Sequence, residues 1–278
     1  MTFIQGLAVK ETGDPQGAPV LLIHGGGGAN WAWDETAALL PEFHCLMPDL
    51  PEHGSSRETC PFTIKDAAGR LAGIIRQVVP GQKAHIVGLS VGGQIAIQML
   101  ASTPQVIWSA VVSGAQVVAL PGYRLGLYSE RMMALVYWLG IHFWKQSDPW
   151  IRMNMQWMAG IPDSYFESFR QNFRAMTRNG WAHPMSENYR YRLPAGLESA
   201  AAPVLLIGGT KETVDIQPSL RLLQTALPRS RSVLVGNGRR WSTAQQHNWP
   251  MVAPELFAQT VRTWITGQPL PTELVDFQ

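Results

Sequence analysis

Six short apolar runs with no polar alternation constrain the fold of this 278-residue chain more than any other feature. They are Val20-Leu21-Leu22-Ile23, His44-Cys45-Leu46-Met47, Ala84-His85-Ile86-Val87, Ala110-Val111-Val112, Val204-Leu205-Leu206-Ile207 and Ser232-Val233-Leu234-Val235. A strand with one wet face alternates; runs this short and uniform suit a sheet covered on both faces. Helical patterns fall between them. Leu71, Ile74, Ile75 and Val78 share one face of a helix ending near Pro80-Gly81. Pro254 opens a closing helix that puts Leu256, Phe257, Val261, Trp264 and Ile265 on one side before Gly267 stops it. This alternation predicts an α/β fold with a doubly wound, mostly parallel sheet.

From about Pro121 to Pro194 the alternation stops. Helical segments dense in aromatics and methionine replace it, among them Met132, Met133, Tyr137, Trp138, Phe143, Trp144, Trp150, Met153, Met155, Trp157 and Met158. An insertion between two core strands sits on one edge of the sheet and covers what lies beneath. The expected organisation is a core of residues 1–120 and 195–278 with a helical cap, or lid, of residues 121–194.

Composition narrows the functional classes. Hydrophobic residues make up 46% and charged residues 15%, enough to bury a full core and too few charges for disorder. A formal charge of +2 without a basic run gives no reason to expect nucleic acid or an anionic surface as partner. The longest nearly apolar run, Met132 to Trp144, is shorter than the ~20 residues of a membrane span and contains His142. Met1-Thr2-Phe3-Ile4-Gln5-Gly6 lacks the basic and apolar regions of a secretion signal. With only Cys45 and Cys60, no disulfide framework organises the chain, Cys45 reads as a small buried residue, and a reduced cytoplasmic setting is the default. No group of His, Cys and carboxylates has metal-ligand spacing, so neither metal nor cofactor is expected.

The chemistry concentrates at Gly88-Leu89-Ser90-Val91-Gly92, which follows one apolar run and opens the helical stretch Gly93-Gln94-Ile95-Ala96-Ile97-Gln98-Met99-Leu100. A serine on a tight strand-to-helix turn projects its hydroxyl above the sheet, and glycines flanking it let the turn close. The helix amino terminus then offers unpaired N–H groups to a reacting carbonyl. His24-Gly25-Gly26-Gly27-Gly28, after the first run, reads as an oxyanion loop. Gly26 and Val91, the residue after the serine, would be the two amide donors. No Gly-Lys-Ser/Thr ending and no dinucleotide spacing accompany the glycines, so a phosphate loop is excluded.

His24-Gly25-Gly26-Gly27, then Asp49-Leu50-Pro51-Glu52-His53-Gly54-Ser55, then Gly88-Leu89-Ser90-Val91-Gly92-Gly93 together resemble the succession found in the α/β-hydrolase superfamily. The similarity covers nearly the whole chain outside the insertion. It implies the chain order nucleophile, acid, histidine, with a cap after the sixth strand. Ser90 is then the nucleophile and His247, in His247-Asn248-Trp249-Pro250 just before the closing helix, its base. The acid would follow the seventh strand, where Ile207-Gly208-Gly209-Thr210-Lys211-Glu212 offers Glu212, with Asp215 three residues later as the alternative. Ser113-Gly114-Ala115 provides no carboxylate at the end of the sixth strand. Asp49 resembles a loop-supporting aspartate, and His24 and His53 read as loop supports. His85 reads as a satisfied core residue, while His44, His142 and His183 have no recognisable context.

A serine at the elbow argues against haloalkane dehalogenases and epoxide hydrolases, which use an aspartate there. The expectation is a serine hydrolase, a carboxylesterase or lactonase, acting on a small to medium apolar ester or lactone. A carbon–carbon bond hydrolase, a perhydrolase, a lipase, and a ligand-binding or signalling homologue without turnover remain open. Fold analogy does not fix substrate, and the oligomeric state is not legible.

Overall fold

The computed structural model describes residues 1–212 and 214–277. Its centre is a nine-stranded sheet: β1 (Thr2–Ile4), β2 (Leu7–Gly13), β3 (Pro19–Ile23), β4 (His44–Pro48), β5 (Ala84–Leu89), β6 (Ile107–Ser113), β7 (Val204–Gly209), β8 (Ser230–Val235) and β9 (Val275–Asp276). The order is β1-β2-β4-β3-β5-β6-β7-β8-β9. From β4 to β8 every pairing is parallel, while β1–β2, β2–β4 and β8–β9 are antiparallel.

All six apolar runs are parallel strands, and the reason for their uniformity is visible. Leu21, Ile23, Ile86, Leu206 and Val204 face one apolar cluster, whereas Val20, Leu22, Val87, Leu205 and Ile207 face another on the opposite side. Each strand therefore buries both of its faces. The strands β1 and β2 at one end of the sheet and β9 at the other were not expected from the sequence; they pair antiparallel, and exposed residues interrupt their apolar pattern.

The helices are α1 (Asp34–Ala38), α2 (Ile64–Val78), α3 (Val91–Ser102), α4 (Glu130–Tyr137), α5 (Asp148–Met153), α6 (Phe166–Ala175), α7 (Arg178–Arg190), α8 (Ile216–Ala226), α9 (Thr243–His247), α10 (Trp249–Val252) and α11 (Pro254–Thr266). Helix α2 buries Leu71, Ile74 and Ile75 as its spacing predicts, and Thr63 caps it by accepting the Asp66 N–H. Helix α11 begins at Pro254 and ends at Gly267, whose φ of 69° is the left-handed cap that glycine favours.

Between β6 and β7 the described residues form helices and turns only. α4 and α5 are each continued by a π-helical turn, Trp138–His142 and Asn154–Met158. Two small apolar clusters belong to this stretch, one around Met133, Ala134, Ala182 and Met185, the other around Tyr137, Ile141, Ile151 and Phe173. Met155, Ile161 and Tyr165 instead join the sheet's own cluster and anchor the insertion to it.

Strand order reverses around β3. The chain leaves β3 for β4 on one side and returns through β5 on the other, so the carboxyl ends of β3 and β5 open onto a crevice. Their register pairs Ile23 with Gly88, which sets the loop after β3 beside the turn after β5.

Candidate active site

Ser90 occupies that turn with φ 57° and ψ −117°, a conformation rarely adopted by residues with side chains. The flanking glycines let it persist. A Cβ on Gly88 would lie 2.3 Å from the Gly92 carbonyl oxygen, and one on Gly92 would lie 2.2 Å from that of Ile23. Ser90 N–H donates to Ser113 O at 2.8 Å, tying the turn to the end of β6. Val91 is the first residue of α3, where an N–H has no partner within the helix.

The Gly25–Gly28 loop reaches this turn: a Cβ on Gly25 would sit 3.4 Å from Ser90 Cβ, and one on Gly26 3.0 Å from Val91 Cγ2. Its orientation is set by hydrogen bonds. Leu50 N–H donates to His24 Nε2 at 3.0 Å, so the other nitrogen carries the proton and donates to Gly25 O at 2.8 Å. Gly28 N–H donates to the same oxygen at 3.2 Å. In a trans peptide the next N–H points the opposite way, so Gly26 N–H is turned from His24 and has no acceptor among the described residues.

His53 acts in the same manner. Its Nε2 accepts Gly27 N–H at 3.1 Å, and its Nδ1–H donates to Pro51 O at 2.8 Å. Burial keeps both imidazoles neutral, lowering His24 to about 4 and His53 to about 3, with the His24–His53 proximity adding to the latter. Asp49 holds the adjoining loop by accepting Asn30 N–H and Ser55 N–H, each at 2.7 Å. Burial raises its pKa, and these two donors oppose the rise. The loop-supporting role expected of these residues is what the hydrogen bonds describe.

His247, ahead of the closing helix, is the last residue of α9, a short helix opened by a Ser242–Gln245 capping box. Its Nδ1–H donates to Glu212 Oε1 at 2.6 Å, and Glu212 Oε2 accepts Gly209 N–H at 2.6 Å. Of the two candidate acids the structure therefore brings Glu212 to the imidazole. Asp215 instead caps α8, accepting Ile216 N–H at 3.0 Å. Burial opposes charge on His247, but the Glu212 hydrogen bond and the charges of Glu212 and Asp215 outweigh it and raise the pKa.

Neighbours fix this segment to the sheet. Buried Trp249 donates from Nε1 to Ser113 Oγ at 2.9 Å, and Gln246 Oε1 accepts Lys211 N–H at 2.8 Å. Ser90 and His247 thus converge on the 113–114 corner, where His247 Cε1 lies 2.9 Å from the position of a Cβ on Gly114. Among the described residues no hydrogen bond yet joins Ser90 Oγ to His247. Such bonds in substrate-free enzymes are often long and tighten on binding.

A cavity of about 640 Å³ lies above this corner. Gly25–Gly28, Leu89 and Asn248 form part of its wall, so it reaches the immediate neighbours of Ser90 and His247. The insertion contributes Ile141, Trp150, Phe173, Trp181 and Met185 among others, and no charged side chain is found among its described lining residues.

Two contacts between insertion and core had no sequence signal. Asn172 on α6 donates from Nδ2 to Gly27 O at 2.7 Å. His183 on α7 donates to the buried Glu52 carboxylate at 2.9 Å, and Glu52 has a φ of 64°. His44 pairs with Glu11 at 2.8 Å, and His85 with Ser109 Oγ at 2.8 Å.

A family model described as the alpha/beta hydrolase family matches residues 20–260. A protein of Gibberella zeae described as an AB hydrolase superfamily protein is 29% identical over 93% of this chain and 83% of its own length. An esterase of Mycobacterium tuberculosis is 27% identical over 74% of this chain and 71% of its own. Among solved structures, an enol-lactonase of Burkholderia xenovorans LB400 superposes with a TM-score of 0.72 over 94% of this chain and 96% of its own, at 19% identity. At that identity the likeness is one of fold.

Proposed function

The chain belongs to the alpha/beta hydrolase family, and from that premise we propose that it is a serine hydrolase cleaving a small to medium apolar carboxylic ester or lactone through an acyl-enzyme. One observation carries the reading: a strained Ser90 and a Glu212-held His247 flank one corner of the sheet, and their chain neighbours Leu89 and Asn248 line a cavity that has no charged side chain among its described lining residues. The esterase and enol-lactonase among similar proteins support the same class.

In this reading His247 Nε2 takes the Ser90 hydroxyl proton as Oγ attacks the ester carbonyl. Glu212 stabilises the imidazolium that forms, and the Gly26 and Val91 N–H groups hold the oxyanion. Collapse expels the alcohol, which receives the proton from His247. Water, deprotonated by the same imidazole, attacks the acyl-enzyme, and the proton returns to Ser90 as the acid leaves. Residues 121–194 serve as the cap over a core of residues 1–120 and 195–278.

The test is a panel of p-nitrophenyl esters of increasing chain length and of lactones, run on wild type and Ser90→Ala. Turnover by wild type, with loss of roughly 10⁵-fold or more in the variant, is the expected result. A folded protein without turnover on any member would sink the proposal.

A further inference from the structure

Two segments of the insertion are apolar on both sides. Along α4 and its π-helical continuation, Met133, Ala134, Tyr137 and Ile141 turn inward and are buried. Leu135, Trp138, Leu139 and Phe143 turn outward, with exposures between 40% and 69%. In the second segment Ile151 and Met155 are fully buried, while Trp157 and Met158 are exposed at 80% and 73%. A helix apolar all round is normally covered all round. The segments adjoin: Trp144 stacks on Trp150 with ring centroids 5.2 Å apart, and Trp150 Nε1 donates to Gly140 O at 2.8 Å. The patch they form is also the outer side of the cavity wall, to which Val136, Gly140, Met153 and Met158 contribute.

Charge identifies what would cover this patch. Residues 121–194 carry nine Lys and Arg against five Asp and Glu, whereas the rest of the chain carries thirteen against fifteen. Three of those five acids are already neutralised, Asp148 by Arg170 and Arg174, Asp163 by Arg152 and Glu167 by Arg170. Arg131 stands one helical turn before Leu135 on the exposed ridge, and Lys145 follows Trp144. Neither enters an ion pair among the described residues. An apolar ridge carrying part-exposed tryptophans and unpaired cations matches the depth profile of an anionic lipid surface: acyl chains, then the headgroup layer where indoles settle, then phosphates. A second copy would bring like-charged faces together.

We propose that the outer face of the insertion docks on anionic lipid, with Leu135, Leu139, Phe143 and Trp157 entering the interface and Arg131 and Lys145 at the phosphates. An apolar substrate dissolved in that lipid would then reach the cavity wall without crossing water. This last step rests on the hydrolase reading; the docking itself does not.

Co-sedimentation with phosphatidylcholine–phosphatidylglycerol vesicles, run on Ser90→Ala so that no lipid is consumed, tests docking independently of turnover. The triple variant Leu139→Glu, Phe143→Glu, Trp157→Glu changes exposed residues that do not line the cavity. Partitioning is expected to fall at least about tenfold in the triple variant, and about tenfold for Ser90→Ala on pure phosphatidylcholine. In the wild-type background the same three changes should leave hydrolysis of a short water-soluble ester unaltered. The single change Leu139→Glu, expected to weaken binding in the same direction, serves if the triple variant misfolds. Absence of vesicle binding, or binding undiminished by the substitutions, would overturn the proposal. So would a lipid-free dimer abolished by the triple variant, which would assign the face to a second copy. Vesicle binding by a protein inactive on every ester would leave docking standing and remove only the hydrolase reading.

Discussion

Asn172 and Gly27 lie 145 residues apart in the chain and are joined by a hydrogen bond of 2.7 Å from amide nitrogen to carbonyl oxygen. Gly27 is then held at both ends, since its N–H donates to His53 Nε2 at 3.1 Å. The insertion thereby fixes the peptide next to the proposed oxyanion donor Gly26. Asn172→Ala should lower kcat about five- to tenfold, the value of one hydrogen bond of about 1 kcal/mol, with KM little changed. Steady-state kinetics on one good ester checks it; unchanged kcat would mean the loop holds its shape unaided.

The Glu212–His247 pair predicts a pH dependence with a definite sign. His247 must be neutral to accept a proton, and the Glu212 hydrogen bond and charge raise its pKa in spite of burial. The acid limb of the kcat/KM profile should therefore have its midpoint above the ordinary histidine value of about 6.5. Glu212→Gln should lower kcat by roughly 10³- to 10⁴-fold and move the remaining limb to lower pH. A limb that stays in place would show that Glu212 does not set the imidazole's basicity.

The parallel strands were legible because they are buried on both faces, which leaves an unmistakable pattern in short windows. β1, β2 and β9 were not, because exposed residues break their patterns. Ser90 was legible because the turn imposes glycine on both sides, and the clashes at Gly88 and Gly92 give the physical reason. Spacing alone left Glu212 and Asp215 both open, since both follow β7 within a few residues. What separates them is that Asp215 is engaged in capping α8. The Asn172–Gly27 and His183–Glu52 contacts span 145 and 131 residues, and no local period encodes such pairs.

Buried neutral histidines make acid stability a second titration to measure. His53 has a folded pKa of about 3 and an ordinary value near 6.5 when unfolded. In that window the unfolded chain binds the extra proton, so stability is complete above about pH 6.5 and falls as pH drops toward 3. His53→Gln keeps an acceptor for Gly27 N–H without titrating. Its unfolding free energy should lose up to about 1.4 kcal/mol per pH unit less than wild type over this window. Urea unfolding of both proteins at several pH values reads the difference, and parallel curves would rule it out.

Two glycines near Ser90 should respond in opposite ways to one added methyl. On Gly92 the new carbon would meet backbone, 2.2 Å from Ile23 O at the end of β3 and 2.7 Å from His24 O just beyond it. Neither the strand nor α3 can yield, so Gly92→Ala should destabilise by roughly 3 kcal/mol or more and lose activity with the fold. On Gly26 the same methyl would meet Met185 Cε at 2.4 Å and Val91 Cγ2 at 3.0 Å. Met185 is a flexible side chain of the insertion and can turn aside into the cavity. Gly26→Ala should therefore keep thermal stability within a few degrees of wild type and reduce kcat/KM most for the longest acyl chains, whose space Met185 would take. Melting temperatures and a chain-length series on both variants decide the matter. Equal destabilisation by the two changes would mean that Met185 is as rigid as the backbone beneath it.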